Sequence, residues 1–88
     1  MAEFQNLGTF LKEKRLSSKY TQAELASSLG DVHSQFVSNW ERGLCAPPGH
    51  CLPKLIDVLK LNRAKLVDVM LQDSKADIEA KVFKKKGR

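Results

Sequence analysis

Residues 21–30 read TQAELASSLG and residues 35–43 read QFVSNWERG, with only DVHS between them. Thr21 stands before an apolar-periodic stretch and Glu24 follows three residues later. In this capping-box pattern the threonine oxygen accepts from the first turn and the glutamate reaches back to the N-cap amide. Ala23, Leu25, Ala26 and Leu29 supply an apolar side, and Gly30 is placed to end the helix, so a short helix is expected over 21–30. Residues 34–42 fit a second helix closing at Gly43. Two short helices joined by a glycine-containing turn form a known supersecondary unit. In it Phe36, Val37 and Trp40 are expected to pack inward against Leu25 and Leu29, which leaves Gln35, Ser38, Asn39 and Arg42 among the outward positions.

The flanking sequence continues the same pattern. Leu7, Phe10 and Leu11 recur at helical spacing, with Leu16 and the stem of Lys14 extending the stripe, and predict a first amphipathic helix over 6–17. Lys12, Lys14, Arg15 and Lys19 gather around its later turns with only Glu13 among them, an end suited to facing a phosphate. The paired prolines and glycine of LCAPPGH interrupt regular helix. A fourth helix is expected from about Pro48 or Cys51 to Leu61, with Leu52, Leu55, Ile56 and Leu59 buried. Pro53 is tolerated only in a first turn and so argues for a late start. Asn62 can cap a fifth helix along which Leu66, Val67, Met70 and Leu71 continue the apolar pattern. Residues 74–83 remain helix-compatible and KKKGR reads as a mobile, solvated end. No internal repeat and no strand-like alternation is visible, so the class is all-α. The expected division is a compact helical domain over 1–73 and a helical extension with a basic tail over 74–88.

Composition narrows the function classes. With 88 residues the chain has room for one modest core, and 42% hydrophobic against 28% charged residues is neither disordered nor membrane-like. No apolar run approaches the roughly 18 residues that span a bilayer, and MAEFQNLGTFL lacks a signal peptide's basic start and apolar core, so a cytoplasmic location is expected. The net charge is +5, yet through Asp73 nine Lys or Arg stand against eight Asp or Glu, whereas residues 74–88 hold six against two. Most of the excess is therefore in the tail, and overall charge alone argues only weakly for nucleic acid.

In their order and spacing, TQAELASSLG, QFVSNWERG, the proline at Pro47 and LPKLIDVLKL at 52–61 resemble the Cro and C1-repressor type of helix-turn-helix DNA-binding domain, also called xenobiotic-response-element-like. The resemblance covers about residues 7–61 and implies a compact five-helix, lambda-repressor-like domain whose third helix enters the major groove. It implies that Gln22, at the start of the second helix, is the phosphate-contacting glutamine. Gln35 matches the polar position opening the recognition helix, and Ser38 and Asn39 match later positions on or beside its DNA face. Glu41 and Arg42 match residues that close this helix, in a structural or a phosphate-contacting role. The family pattern has one residue fewer between Gly30 and Val37. Asp31 aligns as the extra one, so either His33 or Ser34 is placed to cap the third helix.

The side chains fit that role chemically. Asparagine and glutamine offer the donor and acceptor that match adenine N6 and N7, and serine serves either way. Gln35 and Asn39, four apart, share a helix face, with Ser34 and Ser38 beside them. The competing reading is a plain solvated surface. Lys14, Arg15 and Lys19, with amides at the second helix's start, are candidates for phosphate, against the simpler reading of solvated charge.

Other chemistry finds little footing. Cys45, His50 and Cys51 with His33 lack the paired-cysteine spacing of a structural zinc site, and no metal or cofactor is expected. A Cys45–Cys51 redox switch rests only on closeness in the chain. No phosphate-binding glycine loop or nucleophile set is present, so an enzyme is not expected.

One such unit contacts few base pairs, and a homodimer on a near-palindromic site is expected, joined through Leu66, Met70, Ile78 and Val82 of the fifth helix and its extension. The expected function is sequence-specific binding of double-stranded DNA as a transcription regulator, most simply a repressor, associated with the nucleoid. The alternative is a module of the same fold that docks a protein through its C-terminal helix.

Overall fold

The computed structural model describes residues 3–30 and 32–83. Among them are five α-helices and no strand: α1 (Gln5–Ser17), α2 (Gln22–Ser28), α3 (Ser34–Glu41), α4 (Leu52–Leu59) and α5 (Arg63–Val82). A single 3-10 turn, Gly49–Cys51, leads into α4. The expected all-α, five-helix architecture is therefore the observed one. Asp31 and the terminal KKKGR lie outside the described residues.

Local chemistry accounts for the boundaries. Thr21 and Glu24 form the reciprocal capping box, with Glu24 N donating to Thr21 Oγ1 at 3.0 Å and Thr21 N to Glu24 Oε1 at 2.8 Å. His33 rather than Ser34 caps α3, its Nδ1 accepting from Gln35 N at 3.2 Å. Asn62 caps α5 through Lys65 N at 3.0 Å. Pro53 falls in the first turn of α4, which starts late as its ring requires. Gly30 and Gly43 follow α2 and α3 with φ of 100° and 76°, the left-handed geometry that ends helices.

The core gathers Leu7 and Leu11 of α1, Leu25 and Leu29 of α2, Val37 and Trp40 of α3, Leu55 and Leu59 of α4, and Leu66 and Val69 of α5. Here α3 packs against both α1 and α2, and α5 against α1. The approach of α1 to the end of α3 is close. A Cβ on Gly8 would sit 2.6 Å from the carbonyl oxygens of both Trp40 and Glu41, so only glycine fits there.

Several expected inward positions are corrected. Phe36 is 52% exposed, because the buried side of α3 is taken by Val37 and Trp40, at 1% and 3% exposed. Leu16 is exposed, and the stripe of α1 closes instead with Arg15, buried at 7%. Ala23 is exposed. On α5 the inward face is Leu66, Val69 and Asp73 with Met70 beside them, while Val67 and Leu71 face solvent.

The α1 N-terminus has no cap of its own, since Phe4 occupies the N-cap position. Asp73 of α5 takes over: its two carboxylate oxygens accept from Asn6 N and Leu7 N, each at 2.9 Å. A carboxylate at a helix N-terminus satisfies orphan amides and complements the helix dipole. The division expected after residue 73 falls inside one continuous helix, and along α5 full burial ends at Asp73 while the helix runs on to Val82. Beyond that point Asp77 and Lys81 pair at 3.0 Å on the helix surface, and the carboxylate raises the lysine pKa above its usual value.

Candidate nucleic-acid interface

Helix α3 turns Val37, Trp40 and Glu41 inward, so its opposite side presents Gln35 and Asn39, flanked by half-buried Ser34 and Ser38 on one edge and by Phe36 on the other. Three of the expected residues are joined on this outer side. Asn39 Oδ1 accepts from Gln35 Nε2 at 3.1 Å and from Arg42 Nη2 at 2.8 Å. The acid of this helix, Glu41, is withdrawn from the surface, so α3 opposes no negative charge to an approaching anion.

Behind α3 lies a buried polar cluster. Arg15 grips Glu41 with two groups, Nε to Oε2 and Nη2 to Oε1 at 3.1 Å, and also donates through Nη1 to Tyr20 O at 2.8 Å. Gln22 Nε2 donates to Glu41 Oε1 at 3.0 Å. These contacts tie the end of α1, the start of α2 and the end of α3 into one rigid unit. Arg15 was expected among the phosphate-facing cations. That reading is corrected, because its guanidinium is enclosed and its donors are engaged within the protein. Gln22 is half-buried with its amide turned to Glu41. Lys14 and Lys19 remain at the surface, with Lys14 Nζ 5.7 Å from the Phe10 ring centre and Lys19 in the left-handed region at φ 64°.

Sequence reasoning missed Phe36 as a surface residue and Glu41 as the hub behind the helix. The available signal for Glu41 was its lone negative charge at a position one turn from buried Val37. Beside α3, Phe36, Trp40, Cys45, Ala46, His50 and Cys51 border an open apolar groove of about 410 Å³. Cys45 is exposed and Cys51 buried, both as free thiols. Among the described residues no group of three or more His, Cys, Asp or Glu side chains is gathered to hold a metal, and no helix is long and apolar enough to cross a membrane.

Two short helices braced at a fixed angle, the second offering amide, hydroxyl and guanidinium groups outward, define a small helical DNA-binding domain. The sequence profile of a helix-turn-helix family matches residues 11–66, more than half of the chain. The protein belongs to this Cro/C1-type helix-turn-helix family, a family of DNA-binding transcription regulators rather than of enzymes. No match was found among curated proteins.

Proposed function

We propose that the protein is a sequence-specific regulator of transcription, most simply a repressor, that lays α3 in the major groove of double-stranded DNA. The observation that supports this reading best is the outer face of α3: Gln35, Ser38, Asn39 and Arg42 offer hydrogen-bonding groups there, and the helix's acid is buried. Gln35, Asn39 and the two serines read base edges. Arg42, Lys14, Lys19 and the exposed part of Gln22 contact phosphates, which fix register and carry salt dependence.

Two copies acting together supply a site of useful length. Val67, Leu71, Ile78 and Val82 are 54–66% exposed and spaced by four, seven and four residues. On an ideal helix they fall in a stripe about 60° wide and about 22 Å long. This stripe, rather than one containing Leu66, is the homodimer surface, because Leu66 is only 5% exposed and belongs to the protomer's own core. Met70 is half-buried and packs on the same core. A dimer on a near-palindromic site places the protein on the nucleoid in the cytoplasm.

The test is selection of bound duplexes from a random-sequence pool, followed by binding to the winners at two salt concentrations. A shared near-palindromic motif with salt-dependent affinity supports the reading, and weak binding without any enriched motif refutes it. A second reading, a protein-docking module, is favoured by the exposed Ile78, Val82 and Phe83 at the far end of α5. It predicts a monomer in sedimentation that binds no preferred duplex.

A further inference from the structure

Cys45 and Cys51 stand six residues apart, and the fold sets both on the wall of the apolar groove beside α3, together with Phe36 and Trp40 of that helix. Both are free thiols, in opposite settings. Cys45 is exposed on the irregular segment that follows α3, whereas Cys51 is 5% exposed and belongs to the core. Cys51 also occupies the N-cap position of α4, yet its side chain makes no capping hydrogen bond there. One groove therefore holds an accessible sulfur at its surface and an enclosed one in its wall.

We propose that Cys45 and Cys51 form a thiol–disulfide switch that a hydroperoxide closes within one chain and that lowers DNA binding when closed. The Cys45 sulfur attacks the hydroperoxide and its O–O bond breaks. One oxygen stays on sulfur as a sulfenic acid, and the other leaves with the thiol proton as an alcohol, or as water from hydrogen peroxide. The Cys51 sulfur then attacks that of Cys45, and the sulfenic oxygen departs as water with the Cys51 proton. The two thiols together lose two electrons, which reduce one hydroperoxide, and an external dithiol reverses the step by exchange.

A disulfide requires Cα atoms within about 7 Å of each other. Cys51 is anchored by its turn, its N donating to Pro48 O at 2.9 Å, and by its place in the core, so the segment carrying Cys45 is the part that moves. That segment hangs on the last turn of α3: Leu44 N donates to Asn39 O and Gly43 N to Trp40 O, each at 3.0 Å. Closing the bond draws Cys45 across the groove toward Trp40 and pulls on the end of α3. The loss of DNA affinity rests on the reading of α3 as a major-groove helix, whereas the thiol chemistry stands apart from it.

Arg42 and Lys54 bound one tryptic peptide that holds both cysteines, and Trp40 is the chain's only tryptophan. The experiment treats the full chain with hydrogen peroxide, alkylates the remaining thiols with iodoacetamide, and follows peptide mass, tryptophan emission and binding to the enriched duplex. Peptide 43–54 should escape alkylation and be lighter than its dithiol form by a pair of hydrogen atoms. Trp40 emission should fall, because a neighbouring disulfide quenches the indole, and should recover with dithiothreitol. Duplex affinity should drop on the order of tenfold, within the usual range of coupling between two sites. Cys45→Ser changes an exposed position, so it should fold as the parent does and lose all three responses. Thiols that stay open to alkylation, or a bond that joins two chains through Cys45, would overturn the proposal, as would the same loss of emission in Cys45→Ser. A closed internal bond with unchanged duplex affinity would overturn the control of DNA binding. Absence of any enriched duplex for the reduced protein would instead refute the major-groove reading and with it that control, while peptide mass and Trp40 emission still decide whether the disulfide forms.

Discussion

Arg15 at the end of α1 and Glu41 at the end of α3 form a buried, two-pronged ion pair, their side chains only 9% and 3% exposed. Two charges removed from water are tolerated because each is satisfied more than once: Arg15 also serves Tyr20 O, and Glu41 also accepts from Gln22. Truncating one partner strands the other. Arg15→Ala should therefore cost about 3–5 kcal/mol in urea unfolding. The paired replacement Arg15→Met with Glu41→Leu should recover much of that loss, since a well-packed apolar pair avoids the desolvation penalty. An equal loss in the single and the paired variants would contradict this account.

The two aromatic residues of α3 have opposite fates. Trp40 is 3% exposed and Phe36 is 52% exposed. Trp40→Ala should destabilise the domain by about 3–5 kcal/mol through the cavity it leaves. Phe36→Ala should change stability by only about 0.5 kcal/mol. Thermal denaturation of the two variants side by side checks the contrast.

Helix placement was readable where chemistry is local. Thr21 with Glu24 marked the start of α2, Asn62 that of α5, and Pro53 the late onset of α4. Facing was less readable, because periodicity defines a stripe but not which side chain at its edge is enclosed. Phe36 and Leu16 are apolar yet exposed, whereas Arg15 is charged yet buried because its partner arrives from a segment 26 residues away. On the candidate interface, sequence named Gln35, Asn39 and Arg42 individually, but the direction of their hydrogen bonds depends on how the folded helix sets the three side chains against one another. Asp73 was legible only as the end of a unit, since its role depends on amides more than sixty residues upstream.

Removing that carboxylate gives a third test. Asp73→Ala leaves the Asn6 and Leu7 amides without their acceptor and should cost about 2 kcal/mol, combining two charge-assisted hydrogen bonds with the helix-dipole interaction. Asp73→Asn keeps an acceptor without the charge and should cost less. Chemical denaturation of both variants gives the ordering, and a larger loss for the asparagine would contradict it.

A gain is expected at Lys60, which ends α4 in the left-handed region at φ 53°. Glycine adopts that conformation without a Cβ penalty, so Lys60→Gly should stabilise the domain by about 1 kcal/mol. A rise of several degrees in Tm would register it.

The Asp73 contact also makes the first turn of α1 and the middle of α5 a single clasp. Fraying of that first turn takes the partners from Asp73, and undocking of α5 takes the acceptor from Asn6 and Leu7, so the two sites open together. The Asn6 and Leu7 amides should exchange with solvent at a common rate set by the undocking of α5, although they lie in a different helix. Whatever displaces α5, such as a partner protein seated on its outer stripe, would thus be announced at the opposite end of the sequence, as a burst of exchange at two backbone positions it never touches.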